Sequence, residues 1–290
     1  MTASDQLLHT TILIKCVGQS GENSSGTGFM FSFFKQGDTT FPALITNRHV
    51  IEGAAKGILK FTLAKSDGTP DIGKSIEFTL DNFSALWIRH PNPLVDLAIF
   101  PLGDALTSLR TQGFNLYTVF TDQSFVPTDD VLKALTPLED VLIVGYPDGV
   151  SDTVNNIPIF RRGITATPAN IAFNGSREFL VDAAIFPGSS GSPTFIFNQG
   201  SYPTRDGGLQ IGSRLILIGV VYAVASYTSN GDIVIVPAPT QAKAFSVTQI
   251  PINLGKCINA QRILDFEPLL VAQGFKPPTG YVMRVEQPQP

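Results

Sequence analysis

Apolar residues in this chain come in short runs separated by turn residues. The runs are 11–17, 28–34, 43–46, 57–63, 75–80, 85–88, 97–101, 141–146, 179–182, 215–226 and 232–237. Most are too short for helices, and they are rich in β-branched and aromatic side chains, including 21 Phe. That pattern predicts strands. Many short strands with Gly/Pro turns between them predict an all-β barrel or sandwich. Helix signals are few. Asn259 is placed to cap a helix over 260–266, which Pro268 should stop. Thr128, followed by Asp129 and Asp130, predicts a second helix over 128–135. The stretch 103–127 has weak periodicity and reads as a connection. The last residues, 276–290, hold four prolines and read as a loosely held tail.

Composition narrows the class. The chain has 290 residues, 43% hydrophobic and only 15% charged, which suits a well-buried β protein. Its 26 Gly and 21 Pro make it turn-rich without low complexity. A net charge of −4 and the absence of a Lys/Arg cluster argue against a nucleic-acid partner. No apolar run approaches the ~18 residues of a membrane span. The first residues, Met-Thr-Ala-Ser-Asp-Gln, carry no signal-peptide pattern. Of the two cysteines, Cys16 and Cys257, we expect free thiols and a cytoplasmic setting, with a mutual disulfide as the alternative. Neither Cys nor His occurs at metal-ligand spacing, and no phosphate-binding glycine loop is present, so no metal or cofactor is expected. Arg161-Arg162 reads as a loop feature of the second half rather than a phosphate site.

The chemistry concentrates in residues 187–193, Pro-Gly-Ser-Ser-Gly-Ser-Pro. A Gly-x-Ser-Gly-x-Pro turn exposes one hydroxyl, that of Ser190. It also turns the N–H groups of Gly188 and Ser190 toward one point, as an oxyanion hole requires. The run is not Gly-x-Ser-x-Gly, which disfavours an α/β-hydrolase elbow. A serine needs a base, and the chain has only His9, His49 and His90. His49 ends the apolar run 43–46 through Asn47-Arg48 and is the candidate base. Asp96 is followed directly by Leu97-Ala98-Ile99-Phe100, where an unpaired buried carboxylate would be costly. It is the candidate partner for His49, with Asp104 as second choice.

These segments resemble the trypsin-like (chymotrypsin-clan) serine peptidases, and the bacterial HtrA-type proteins more than digestive trypsins. The matching pieces are Gly26-Thr27-Gly28-Phe29, Ile45-Thr46-Asn47-Arg48-His49-Val50, Asp96-Leu97-Ala98, Gly188-Ser189-Ser190-Gly191-Ser192-Pro193 and Leu217-Ile218-Gly219-Val220-Val221, in family order. The resemblance implies an all-β fold of two successive antiparallel six-stranded barrels with a short C-terminal helix. The barrels would span about 8–127 and 136–250 and the helix about 259–267, all within a peptidase domain over 1–275. It implies a His49–Asp96–Ser190 triad working through an acyl-enzyme on a polypeptide substrate. It also implies a pocket with Ala184 at its base and Ile185, Tyr222, Ala223 and Val224 nearby. With no acid at Ala184, small or medium aliphatic residues are expected on the acyl side of the cut. Trypsins carry an acid before the nucleophile to receive a newly cut N-terminus. Here that residue is Ser189, so activation by cleavage is not expected. No PDZ module is expected, although HtrA-type proteins commonly carry one. Two other functions fit the same motifs: a conditionally active or non-catalytic module that needs a regulatory partner to form the oxyanion hole, and an esterase-like hydrolase.

Overall fold

The computed structural model describes residues 1–37, 39–147, 152–233 and 244–284. The chain is mostly β. Its first half holds β1 (Thr11–Gly18), β2 (Asn23–Gln36), β3 (Thr39–Thr46), β4 (Ala54–Ala64), β5 (Pro70–Asp81), β6 (Ile88–Arg89), β7 (Ala98–Pro101) and β8 (Thr121–Asp122). They form one sheet in the order β5-β4-β1-β2-β3-β7-β6, with β8 parallel to β2. The second half holds β9 (Asp140–Gly145), β10 (Ile159–Thr165), β11 (Glu178–Asp182), β12 (Pro193–Asn198), β13 (Ser201–Pro203), β14 (Leu209–Ile211), β15 (Arg214–Ile233) and β16 (Ala244–Asn259). Six of these close into a barrel, β10-β11-β16-β15-β12-β9, while β13 and β14 pair as a separate hairpin.

Closed pairing is therefore seen in the second half, and the first-half sheet keeps two edges among the described residues. The reason lies in the run 85–88. Residues Phe83–Leu86 form a 3₁₀ turn, and only Ile88 and Arg89 remain to pair with β7. The run 232–237 extends past Ile233 and lies partly outside the described residues.

Strand β2 explains how the halves join. Successive side chains on a strand point to opposite faces. Phe29, Phe31 and Phe33 enter a core shared with Phe195, Leu217 and Val220 of the barrel. Met30 enters the first half's own core with Ile14, Leu44 and Trp87. A third core fills the barrel around Ile143, Val181 and Ile218.

The helical elements are α1 (Ala3–Leu7), α2 (Arg48–Ile51), α3 (Gly103–Thr111), α4 (Asp129–Ala134) and α5 (Phe266–Ala272). As expected, α4 is capped by Thr128, whose hydroxyl accepts the Val131 N–H. Three other expectations are corrected. First, Pro268 lies inside α5, preceded by a 3₁₀ segment over Ala260–Asp265 capped by Asn259. Pro268 is the third residue of α5, where a backbone N–H has no intrahelical acceptor, so its absence costs little. Second, the weakly periodic stretch from 103 contains α3, which buries Ala105, Leu106 and Leu109. Third, the expected tail is docked as far as Arg284. The Tyr281 ring lies 5.2 Å from that of Phe34, and Tyr281 donates to Glu267 at 2.6 Å. Phe275 stacks on Phe34 at 4.8 Å. Residues 285–290 lie outside the described residues.

Cys16 and Cys257 are free and buried in different cores. Burial pushes their thiols up to about 11 and about 12 respectively. Both should resist an aromatic disulfide reagent at pH 8 in the native protein. Both should react after denaturation without reductant. A count of zero thiols under those conditions would contradict this arrangement.

Candidate active site

His49 sits in the single turn α2, directly after β3, and its side chain is 45% exposed. Asp96 precedes β7, the strand paired with β3, so sheet register brings the two together. One carboxylate oxygen of Asp96 accepts the His49 backbone N–H at 3.1 Å, and the other lies 2.5 Å from the ring Nδ1. Asp96 thus fixes both the backbone and the ring of His49. A proton on Nδ1 facing the carboxylate leaves Nε2 with its lone pair. Asn47, fully buried, donates its amide to the Asp96 carbonyl at 2.8 Å and ties the two segments again.

Ser190 occupies a double turn. The Ser189 N–H closes onto the Phe186 carbonyl at 3.1 Å, and the Ser192 N–H onto the Ser189 carbonyl at 3.0 Å. Gly188 and Gly191 supply the left-handed positions, with φ of 81° and 85°. The turn is fastened on two sides. Thr27 of β2 donates its N–H to the Ser190 carbonyl at 2.9 Å, and Gly191 donates its own to the Val221 carbonyl at 2.8 Å. Buried Thr27 also donates its hydroxyl to the Gly188 carbonyl at 3.1 Å and accepts the Tyr146 N–H at 2.9 Å. Thr46, one residue before Asn47, donates to the Thr27 carbonyl at 2.7 Å. Val50 of α2 packs over Gly26, where a Cβ would lie 2.5 Å from Val50 Cγ1. The serine turn and the histidine turn therefore dock on one stretch, Gly26-Thr27. Among the described residues, no hydrogen bond joins Ser190 Oγ to His49, and the N–H groups of Gly188 and Ser190 have no acceptor within the chain.

The other candidate residues are more scattered. Ala184 is exposed at the start of the same loop. Ile185 is buried in the barrel core, its Cδ1 seated over Gly255. Tyr222, Ala223 and Val224 are half-buried on β15, and Tyr222 donates to Glu178 at 2.7 Å while accepting from Lys256 at 2.9 Å. His90 is buried, and its ring nitrogens face the carbonyls of Asn92 and Arg262. Asp104 lies in the first turn of α3. His9 follows α1, is buried and meets the Tyr117 ring edge-on at 4.8 Å. A concavity of about 910 Å³ is lined by His90, Asn92, Ile171 and Pro268 among others and contains none of His49, Asp96 or Ser190. Hydrogen-bond geometry, not cavity size, marks this site.

Sequence reasoning missed Thr27 and misplaced Arg161. A small hydroxyl between two glycines was the visible signal for Thr27. Arg161 and Arg162 lie on β10, not on a loop, and strand alternation sends them to opposite faces. Arg162 reaches exposed Asp140 at 3.1 Å, whereas Arg161 is buried beneath the serine turn.

An imidazole held by a carboxylate and a serine turn with free N–H groups thus dock on one strand of a β fold with one closed barrel. The sequence matches the trypsin-like peptidase domain over residues 26–201, more than half of the chain, and the chain belongs to that family. The fold is similar to the Rv3671c protease from M. tuberculosis in its active form, at 14% identity and a TM-score of 0.44, covering 96% of this chain and 86% of that one. An inactive serine-to-alanine mutant of Rv3671c from the same organism gives 14% identity and 0.43, over 94% of this chain and 91% of that one. Tobacco etch virus protease complexed with product gives 13% identity and 0.42, over 78% and 72%. No curated protein sequence matches the chain.

Proposed function

We propose that this protein is a serine endopeptidase with His49, Asp96 and Ser190 as its triad. The observation that carries the reading is the double hold of Asp96 on His49 beside a serine turn docked on the same strand. In this reading His49 Nε2 takes the proton of Ser190 as its Oγ attacks the peptide carbonyl. The carbonyl oxygen becomes negative between the N–H groups of Gly188 and Ser190. His49 then returns the proton to the leaving amine, and water hydrolyses the acyl-enzyme by the same route. Among the described residues, the two N–H groups already have no intramolecular acceptor. That favours this reading over one in which a partner must first open the oxyanion hole. We further read the first-half sheet as the counterpart of the closed barrel, the two together forming the peptidase domain. A fluorophosphonate probe should label the full chain once, and mass mapping should place the adduct on Ser190. An adduct on Ser189 or Ser192 would overturn the assignment.

The acyl-side pocket is proposed to take small or medium aliphatic residues. Ala184, Ala223 and Val224 offer no acid to a cationic side chain, and buried Arg161 adds a like charge behind Ala184. A Lys or Arg entering there would lose hydration without a partner. Preference among Ala, Val, Ile and Leu should be blurred, since one methylene changes kcat/KM only about 10- to 200-fold. A peptide-library profile dominated by Lys or Arg would contradict the pocket while leaving the triad standing.

A further inference from the structure

Arg161 is only 8% exposed, and its guanidinium lies under the serine turn. Nη1 donates to Ser189 Oγ at 2.5 Å and to the Ala184 carbonyl at 3.3 Å. Nη2 reaches Ser192 Oγ at 3.5 Å, and Nε has no partner. Among the described residues it pairs with no carboxylate. A buried cation without a counter-ion is unfavourable in itself. Burial lowers its basicity to about 10, which still leaves it charged at neutral pH. Among the described residues, every hydrogen bond of the guanidinium goes to one segment, 184–192. Its three contacts bracket Gly188 and Ser190, the residues whose N–H groups stand free. Ser189 Oγ in turn accepts the Phe186 N–H at 3.2 Å, so the guanidinium is coupled to the first of the two turns.

We propose that Arg161 is a positioning residue that braces the 184–192 loop and so keeps the Gly188 and Ser190 N–H groups aimed at one point. The inference rests on the reading of Ser190 as nucleophile. It gives the residue before that nucleophile, Ser189, a partner encoded within the barrel, so no new N-terminus has to be cut to order the loop. Arg is suited to this because its planar fork serves several acceptors at once, whereas Lys offers a single point.

The test compares the full-length wild type with Arg161→Met, Arg161→Lys and Ser189→Ala. The readouts are peptide turnover and hydrogen–deuterium exchange of peptides covering 184–192. Arg161→Met should lower kcat about 100- to 1000-fold, the range for losing an oxyanion donor, with KM within about threefold. Exchange should rise in 184–192 and stay unchanged in β9 and β12. Arg161→Lys should recover part of the lost kcat, and Ser189→Ala should lower it about tenfold. Wild-type kcat and wild-type exchange in Arg161→Met would overturn the proposal, as would a raised KM with kcat unchanged. If Arg161→Met gives no cooperative thermal transition, Ser189→Ala decides on the same two readouts. Exchange does not depend on catalysis. If the wild type takes no probe at Ser190, the triad reading falls, while lost protection in 184–192 would still support the brace.

Discussion

Ser190→Ala should lower peptide turnover by a factor on the order of 10⁴ to 10⁶ and abolish fluorophosphonate labelling, with the thermal midpoint almost unchanged. The first effect is large because the hydroxyl is the only group proposed to form the covalent bond. Expressed as a barrier, the loss is about 5–8 kcal/mol. The second effect is small because the Ser190 hydroxyl makes no hydrogen bond within the described chain, while its backbone carbonyl keeps the Thr27 N–H. The turn therefore survives the substitution. His49→Ala should be equally severe in turnover. Asp96→Asn should cost about 10⁴ for a separate reason. The amide oxygen can still accept the His49 backbone N–H, which leaves the amide NH₂ facing Nδ1. Nδ1 must then accept, the ring proton moves to Nε2, and the base is lost although the fold is intact. If Ser190→Ala keeps more than about a hundredth of wild-type turnover, nucleophilic catalysis by this residue is excluded.

Much of this site was legible from residue order because the chemistry sits in short contiguous motifs. Gly188, Ser190 and Gly191 specify their own turn through backbone conformation, and the structure shows the two left-handed glycines that the motif requires. His49 stands out among three histidines and Asp96 by the apolar run that follows it, the resemblance implies their pairing, and strand pairing of β3 with β7 is what unites them. Elements set by local pattern were also legible. Thr128 caps α4, and the runs at 11–17 and 43–46 lie within β1 and β3. What remained hidden depends on partners distant in sequence. Nothing local to Arg161 shows that strand alternation turns it inward, or that a loop more than twenty residues later covers it. Thr27 has the same character, since its hydroxyl joins Gly188 and Tyr146 while its carbonyl accepts from Thr46, three partners distant in sequence. The docking of 276–284 is hidden in the sequence because its prolines point to a solvent-exposed tail. Its aromatic residue Tyr281, with neighbouring Phe275, fills a hole at Phe34 that no local rule reveals.

Gly191→Ala should damage both activity and stability, and the reason is a contact between backbones. A Cβ at this position would lie 1.9 Å from the Thr27 carbonyl oxygen and 2.4 Å from Thr46 Oγ1. Neither is the loose end of a flexible side chain: the first is main chain, and the second donates to that same carbonyl. The turn must therefore lift away from β2, which strains the Thr27 N–H bond to the Ser190 carbonyl and carries Ser190 away from His49. A positive φ adds about 1–2 kcal/mol for any residue with a Cβ. Overpacking adds about 1–3 kcal/mol, and loss of the backbone hydrogen bond about 1 kcal/mol. We expect a stability loss of roughly 3–6 kcal/mol from these three terms combined. Labelling should slow by at least about 100-fold, because a misplacement of 1 Å at a reacting atom is worth that much. Gly200→Ala is the control, since Gly200 has φ of 88° with nothing within 4 Å of a Cβ. It carries the conformational penalty alone, so it should lose about 1–2 kcal/mol and keep full labelling. Equal losses of labelling and stability in the two variants would show that the close approach of the serine turn to β2 has no part in ordering the site.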